Sequence, residues 1–154
     1  MWKKIKPYVI SIAIALAVGA LSGFLSMEGM ENFESFNQPP LSPPAILFPI
    51  VWTILYILMG ISSAIVWEKG KGRNGRALLI YALQLIVNFF WSIIFFNLNA
   101  FLFAFIWLLL LLLLIVLMII EFYKIDKTAA FLQIPYLIWV SFAGYLTIMT
   151  YLLN

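Results

Sequence analysis

Apolar residues run along this chain in five long blocks, at roughly 8–27, 45–67, 77–96, 101–122 and 129–152, with short polar links between them. Each block reaches the roughly 20 residues that a helix needs to cross a hydrocarbon core. The pattern predicts an all-α membrane protein, a bundle of five transmembrane helices forming one domain over residues 1–154. Composition agrees, with 66% of the residues hydrophobic and 10% charged, outside the range of soluble globular domains. Lys3, Lys4 and Lys6 precede the first block as they would in a secretory signal. That block is too long for a signal, and four more follow it.

Charge orients the bundle. All nine Lys and Arg residues fall on one side: Lys3, Lys4 and Lys6 before span one, Lys69, Lys71, Arg73 and Arg76 between spans two and three, and Lys124 and Lys127 between spans four and five. The opposite links, 28–44 and 97–100, carry no positive residue, and the first holds Glu28, Glu31 and Glu34. Positive residues in short loops mark the cytoplasmic side, so the N-terminus is expected inside and the C-terminus outside. The basic balance therefore reflects membrane topology and gives no reason to expect a nucleic acid partner. The chain contains no cysteine, so it has no disulfide.

Local patterns sort the spans further. Gly19 and Gly23, flanked by Ser22 and Ser26, would let another helix approach span one closely. Span four, with seven leucines in a row after Trp107, is apolar on every side and is expected to face lipid, with Trp107 in the interfacial belt beside Trp2 and Trp67. Span five carries Pro135 after Gln133 and should kink there. Five of the seven prolines crowd into residues 39–49. Their stiffness, with Phe33 and Phe36 seeking burial, makes the long link 28–44 a lid rather than a loose tether.

Several chemistries are excluded. No charged residue lies within a span except at the cytoplasmic edges, which argues against a proton relay or an ion pathway. Without histidine or cysteine there are no usual zinc or haem ligands and no Ser-His or Cys-His nucleophile. No metal and no cofactor is expected. What remains is a set of aromatics and amides at helical spacing. Phe48, Trp52, Tyr56 and Gly60 recur every fourth residue, Gln84, Asn88, Trp91 and Phe95 form a second stripe, and Trp139, Ala143 and Thr147 a third. Counted from the outer end of each span at about 1.5 Å per residue, Trp52 lies roughly 10 Å deep and Trp139 roughly 20 Å deep. Three helices could thus line one aromatic chamber for a flat ligand. The stripes equally suit helix packing, and Gln84 and Asn88 equally suit interhelical hydrogen bonding.

The segments "PPLSPPAILFPIVWTILYILMGI", "NFFWSIIFFNLNA" and "LQIPYLIWVSFAGYL", in that order, closely resemble the translocator protein family, also called tryptophan-rich sensory proteins and peripheral benzodiazepine receptors. The resemblance covers nearly the whole chain. It implies five transmembrane helices and a pocket open toward the first loop, which takes porphyrins, benzodiazepine-type and isoquinoline carboxamide ligands and, in animals, cholesterol. By that similarity Trp52, Tyr56, Asn88, Trp91, Trp139 and Ala143 are pocket positions and Pro43 and Pro44 lid positions. Phe48 and Gln84 join them from the stripes. Where the family often shows K-P-x-W-x-P-P, this chain has Gln38, Pro39, Pro40, Leu41, Ser42, Pro43 and Pro44, without the Lys or the Trp. The sterol pattern needs a Lys or Arg after its tyrosine, and "YLLN" after Thr150 has none, so cholesterol recognition does not carry over.

The leading expectation is a receptor-like protein of a bacterial cytoplasmic membrane that binds porphyrins and flat aromatic molecules and serves tetrapyrrole sensing, handling or removal. Its other expected partners are membrane lipid and a second copy in a homodimer. A second reading makes it a light- and oxygen-dependent porphyrin-degrading enzyme, with Trp52 and Trp139 as electron donors. A third, a transporter, finds no internal repeat, buried charge or coupling-ion site in the sequence.

Overall fold

The computed structural model describes residues 1–44 and 46–154. Its helices are α1 (Trp2–Leu25), α2 (Met27–Phe33), α3 (Leu47–Lys69), α4 (Gly75–Ser92), α5 (Phe101–Ile125), α6 (Lys127–Phe131) and α7 (Ile134–Leu153), and Ile93–Asn97 extends α4 as a π-helical turn. Five stretches are long and apolar enough to cross a membrane, as the hydrophobic blocks predict. Ala45, the first residue of the expected second span, lies outside the described residues. The long link differs from a plain loop, because its first third is helical. Glu28 lies in the first turn of α2, where a negative charge suits the exposed amides. Gly29 lets α2 sit directly on the π turn, since a methyl group there would meet the Phe96 carbonyl oxygen.

Packing arranges the helices as an incomplete ring. α1 lies against α3 and α4, α4 against α5, and α5 against α7. Among the described residues α3 and α7 do not pack along their lengths. The gap between them is closed at the basic end by α6, which touches both α3 and α5 and whose Ala129 carbonyl accepts a 2.7 Å hydrogen bond from Ser62 Oγ. Toward the other end side chains of the two helices meet, as Phe48 does Trp139. α6 and α7 are the two parts of span five, and the expected kink takes the form of a break at Leu132–Gln133. Pro135 falls in the first turn of α7, where its missing N–H costs nothing.

Two expectations are corrected here. The leucine-rich span four does not simply face lipid. Phe101, Ala104, Leu108, Leu111, Ile115, Met118 and Phe122 form a buried seam at alternating spacings of three and four, packed between α4 and α7. Lipid tails are as apolar as leucine, so hydropathy cannot separate a helix-facing side from a lipid-facing one. Trp107 is likewise no free belt residue, because its indole N–H donates to the Val87 carbonyl at 2.7 Å. The Gly19 and Gly23 pair divides: the Tyr56 ring lies against Gly19, whereas Gly23 faces open space.

Ion pairs gather at the basic end. Asp126, between α5 and α6, accepts from Lys69 Nζ at 2.8 Å and caps α6 by accepting the Ala129 amide at 3.0 Å. The Lys69 hydrogen bond, and then the Ala129 amide, hold its carboxyl below the usual aspartate value. A depressed folded value means that the contribution is complete above the unfolded pKa of about 3.9 and is lost as pH falls through the folded one. Asp126→Ala is expected to cost about 1 kcal/mol at neutral pH, a typical cap loss. Thermal unfolding in detergent should show this deficit narrowing below about pH 4, where wild type loses the same charge.

Candidate functional site

Of the expected site residues, Phe48, Trp52, Tyr56 and Trp139 come together between α3 and α7, and Trp91 does not. Side chains from α3 and α7 bridge the gap: the Phe48 ring lies 5.8 Å from Trp139, edge to face, and Trp52 lies 5.7 Å from Tyr56 and 6.3 Å from Tyr136. Trp139 also contacts Phe142 at 5.7 Å, and Phe142 stacks on Tyr145 at 6.1 Å. Two helices thus build two adjoining groups of rings, Phe48 with Trp139, Phe142 and Tyr145, and, one turn along, Trp52 with Tyr56 and Tyr136. The indole Nε1 of Trp139 is buried there with no acceptor among the described residues. Ala143, one turn along α7, is buried as well.

Depths counted from each helix end do not survive this geometry. Phe48 stands at the start of α3 and Trp139 in the first third of α7, yet their rings touch. The count assumes that all helices end level, and α7 continues well past the start of α3. The α3 stripe also rotates out of the site. Each fourth-residue step drifts about 40° round a helix of 3.6 residues per turn. By Gly60 the stripe has turned to α1, where an added methyl would come within 2.5 Å of Ile12 Cα.

A polar network lies on the inner side of the cluster. Asn88 Nδ2 donates to the Tyr136 hydroxyl at 2.9 Å, and that hydroxyl donates to Gln84 Oε1 at 2.6 Å. Gln84, Asn88 and Tyr136 are 0%, 2% and 1% exposed, so water cannot replace these partners. The Gln84 amide reaches the Met59 sulfur at 3.9 Å. The two amides therefore tie α4 to α7 and α3. The sequence pattern leaves Tyr136 unmarked. Its place, three residues before Trp139 on α7, was the available signal.

Trp91 belongs to a second cluster. It stacks on Phe95 at 5.1 Å and meets Phe96 edge-on at 6.1 Å. Phe33, at the end of α2, contacts Phe95 at 5.1 Å and Phe96 at 5.5 Å, and Phe36 contacts Phe101 at 5.5 Å. The π turn brings Phe95 and Phe96 together beneath the loop. This cluster anchors the first part of the loop, and it leaves Phe33 and Phe36 half-buried. Like Trp139, Trp91 keeps a buried Nε1 without an acceptor.

The proline-rich part of the loop runs beside α7. Pro40 accepts from the Tyr145 hydroxyl at 2.8 Å, and Asn37 bonds to Leu153 and Asn154. Residues 39–42 form a tight turn, in which Pro39 accepts from the Ser42 amide at 3.3 Å and from Ser42 Oγ at 2.7 Å. The third turn residue, Leu41, has φ +70°, a left-handed conformation that disfavours branched side chains. Pro43 is half-buried and Pro44 exposed, and the Pro44 carbonyl accepts the Leu47 amide at 3.0 Å where α3 begins.

A model of the TspO/MBR family matches residues 11–152. The tryptophan-rich protein TspO of Chlorobaculum tepidum is 38% identical over 159 aligned positions, covering 100% of this chain and 99% of that one. The protein of the same name from Archaeoglobus fulgidus is 36% identical, with 95% of each chain covered. The translocator protein of Bos taurus is 31% identical, over 91% of this chain and 87% of its own. The motif resemblance is thereby borne out along the whole bundle.

Removing the hydroxyl that joins the two amides tests the network. Tyr136→Phe leaves Gln84 Oε1 and Asn88 Nδ2 without that partner and is expected to cost about 1–2 kcal/mol. Thermal unfolding in detergent measures it, and an unchanged midpoint would mean that the network does not hold the helices together.

Proposed function

Because the chain belongs to the TspO/MBR family, we propose that this multi-pass membrane protein is a receptor-like binder of porphyrins and other flat aromatic molecules. Benzodiazepine-type and isoquinoline carboxamide compounds fall in the same ligand class. The site is the aromatic cluster between α3 and α7, and the role is tetrapyrrole sensing or handling. One observation carries this reading: Trp139 presents a buried indole N–H, with no acceptor among the described residues, beside the rings of Phe48 and Phe142. A buried unpaired donor costs roughly 1–3 kcal/mol, which a ligand carbonyl or carboxylate would recover. Phe48, Trp52 and Tyr56 supply stacking faces, and Asn88 and Gln84 stand beside them on Tyr136. The basic end is taken to face the cytoplasm of a bacterium, since every Lys and Arg lies in its loops or at its helix ends. The ligand then enters from the loop side, and a homodimer in the plane of the membrane is compatible with this topology.

Protoporphyrin titrated in the dark is expected to give a saturable absorbance shift. Trp139→Ala should weaken that binding about tenfold or more, through lost stacking area and the lost donor. Unchanged affinity would move the ligand out of this cluster.

A second reading rests on the two indoles. Trp52 and Trp139 stand in adjoining ring groups between α3 and α7, and Tyr56 and Tyr136 lie within ring contact of Trp52. These groups could reduce a photo-excited porphyrin, with dioxygen as the final oxidant, and so start its breakdown. Phenylalanine at positions 52 and 139 keeps most of the stacking area but is far harder to oxidise. The double variant is expected to bind porphyrin and to lose the light-driven decay of its absorbance. Equal decay rates at matched occupancy would leave a binding protein only. Trp91 is a poor substitute donor, since its ring contacts lie in the second cluster.

A further inference from the structure

Span five hides a polar side chain that neither the ring groups nor the amide network uses. Gln133 sits at the break between α6 and α7 and is 0% exposed, yet neither its Oε1 nor its Nε2 has a hydrogen-bond partner among the described residues. Its backbone is better served, because the Gln133 amide donates to the Ala130 carbonyl at 3.1 Å and the Gln133 carbonyl accepts the Leu137 amide at 3.1 Å. Ser62 reaches the same region, but its hydroxyl proton goes to the Ala129 carbonyl. The break frees a second group. In a continuous helix the Phe131 carbonyl would accept the amide of residue 135, and Pro135 has no N–H. Broken, proline-bearing helices in membranes satisfy such groups through neighbouring side chains or ordered water.

The unpaired groups decide the ligand. A carboxamide offers two N–H donors and one carbonyl acceptor. A cation would meet the oxygen alone and an anion the nitrogen alone, and burying either charge in an apolar bundle is itself costly. A small neutral molecule that both donates and accepts meets both halves. Buried water does this, making about three hydrogen bonds to polar groups that lack other partners. We propose that Gln133 at the α6–α7 break is a water-binding site, in which an ordered water accepts from Nε2 and donates to Oε1. Gln133 lies six residues past Lys127, about 9 Å along the helix from the basic end, which is the shorter path from bulk water. Tyr136 follows three residues later, so the water borders the network of Gln84, Asn88 and Tyr136 from the basic side. The site stands independently of the porphyrin reading.

The chain holds three glutamines, Gln38, Gln84 and Gln133, so each can be observed separately. Cell-free synthesis with side-chain 15N-glutamine gives three carboxamide signals in detergent micelles. Gln38→Met removes one and Tyr136→Phe shifts that of Gln84, which leaves the Gln133 signal assigned. Magnetisation transfer from water is then read at each. Gln84, bonded to Tyr136 and Met59, is expected to show no water contact. Gln133 should show the cross-relaxation of a long-held water, with N–H protons that exchange at least about tenfold more slowly than those of the exposed Gln38, since buried groups exchange only through opening. A Gln133 signal as free of water contact as that of Gln84 would overturn the proposal. The Tyr81 hydroxyl on α4 is also buried without a partner among the described residues and could relay such a signal. The contact should therefore persist in Tyr81→Phe, and its loss there would equally overturn the water site. Gln133→Met gives a second reading by thermal unfolding. Removing a dry, unpaired carboxamide would raise the midpoint, whereas removing a hydrated one should leave it equal or lower. A raised midpoint counts against the water, and should that variant fail to fold, the water contact of the wild type decides alone.

Discussion

A segment that lies along an apolar helix without being helical must dispose of its backbone donors, and this constraint shapes the whole loop end of the protein. Residues 37–40 run beside α7, where Asn37 bonds to Asn154 and Pro40 accepts from Tyr145. Prolines answer the constraint directly, because each one removes an N–H that would need a partner. The carbonyls are then met one at a time: Pro39 by Ser42, Pro40 by Tyr145, Pro44 by Leu47 and Pro49 by Thr53. A single proline would have started α3 equally well. Four of the five, Pro39, Pro40, Pro43 and Pro44, make a donor-poor strap, and Pro49 falls in the first turn of α3.

The open seam follows from the same arrangement. Were α3 and α7 packed along their lengths, small residues would line the contact, as Gly60 does against Ile12 of α1. Instead the facing positions hold Phe48, Trp52, Tyr136 and Trp139, whose rings span the distance between two backbones. Ring contacts of this kind join the helices through buried area and preferred edge-to-face or offset geometry, without polar bonds. The amide network beneath them is the opposite case. Gln84, Asn88 and Tyr136 bond to one another with no access to water, which makes the inner side of the seam stiff.

Much of this was legible in the sequence. The five spans, the one-sided placement of Lys and Arg, the docked phenylalanines of the loop and the break near Pro135 follow from composition and spacing. Of the site, Phe48, Trp52, Tyr56 and Trp139 assemble as their stripes suggest. The failures share a cause, which is that periodicity gives the face of a helix but not what stands opposite it. Leu108 and Leu109 are chemically identical, yet one is buried in the α5 seam and the other is exposed. Trp91 shares a stripe with Asn88, but the π turn gathers Phe95 and Phe96 around it and places it in another cluster. Tyr136 went unmarked because a single tyrosine makes no pattern, although it joins the three helices of the site.

Stiffness and looseness are therefore divided along one axis. At the basic end the ring is closed by α6, by the Lys69–Asp126 pair and by the bond from Ser62 to Ala129. Next to it the buried amides fix the spacing of α3, α4 and α7. Toward the loop the contacts become aromatic, then exposed and polar, with a strained leucine among them. Free energies of local opening fall in the same order, since few buried contacts and exposed hydrogen bonds mark the segments that open first. A bundle built this way can release its loop without loosening its core, because the buried amide network of Gln84, Asn88 and Tyr136 shares no bond with the loop among the described residues.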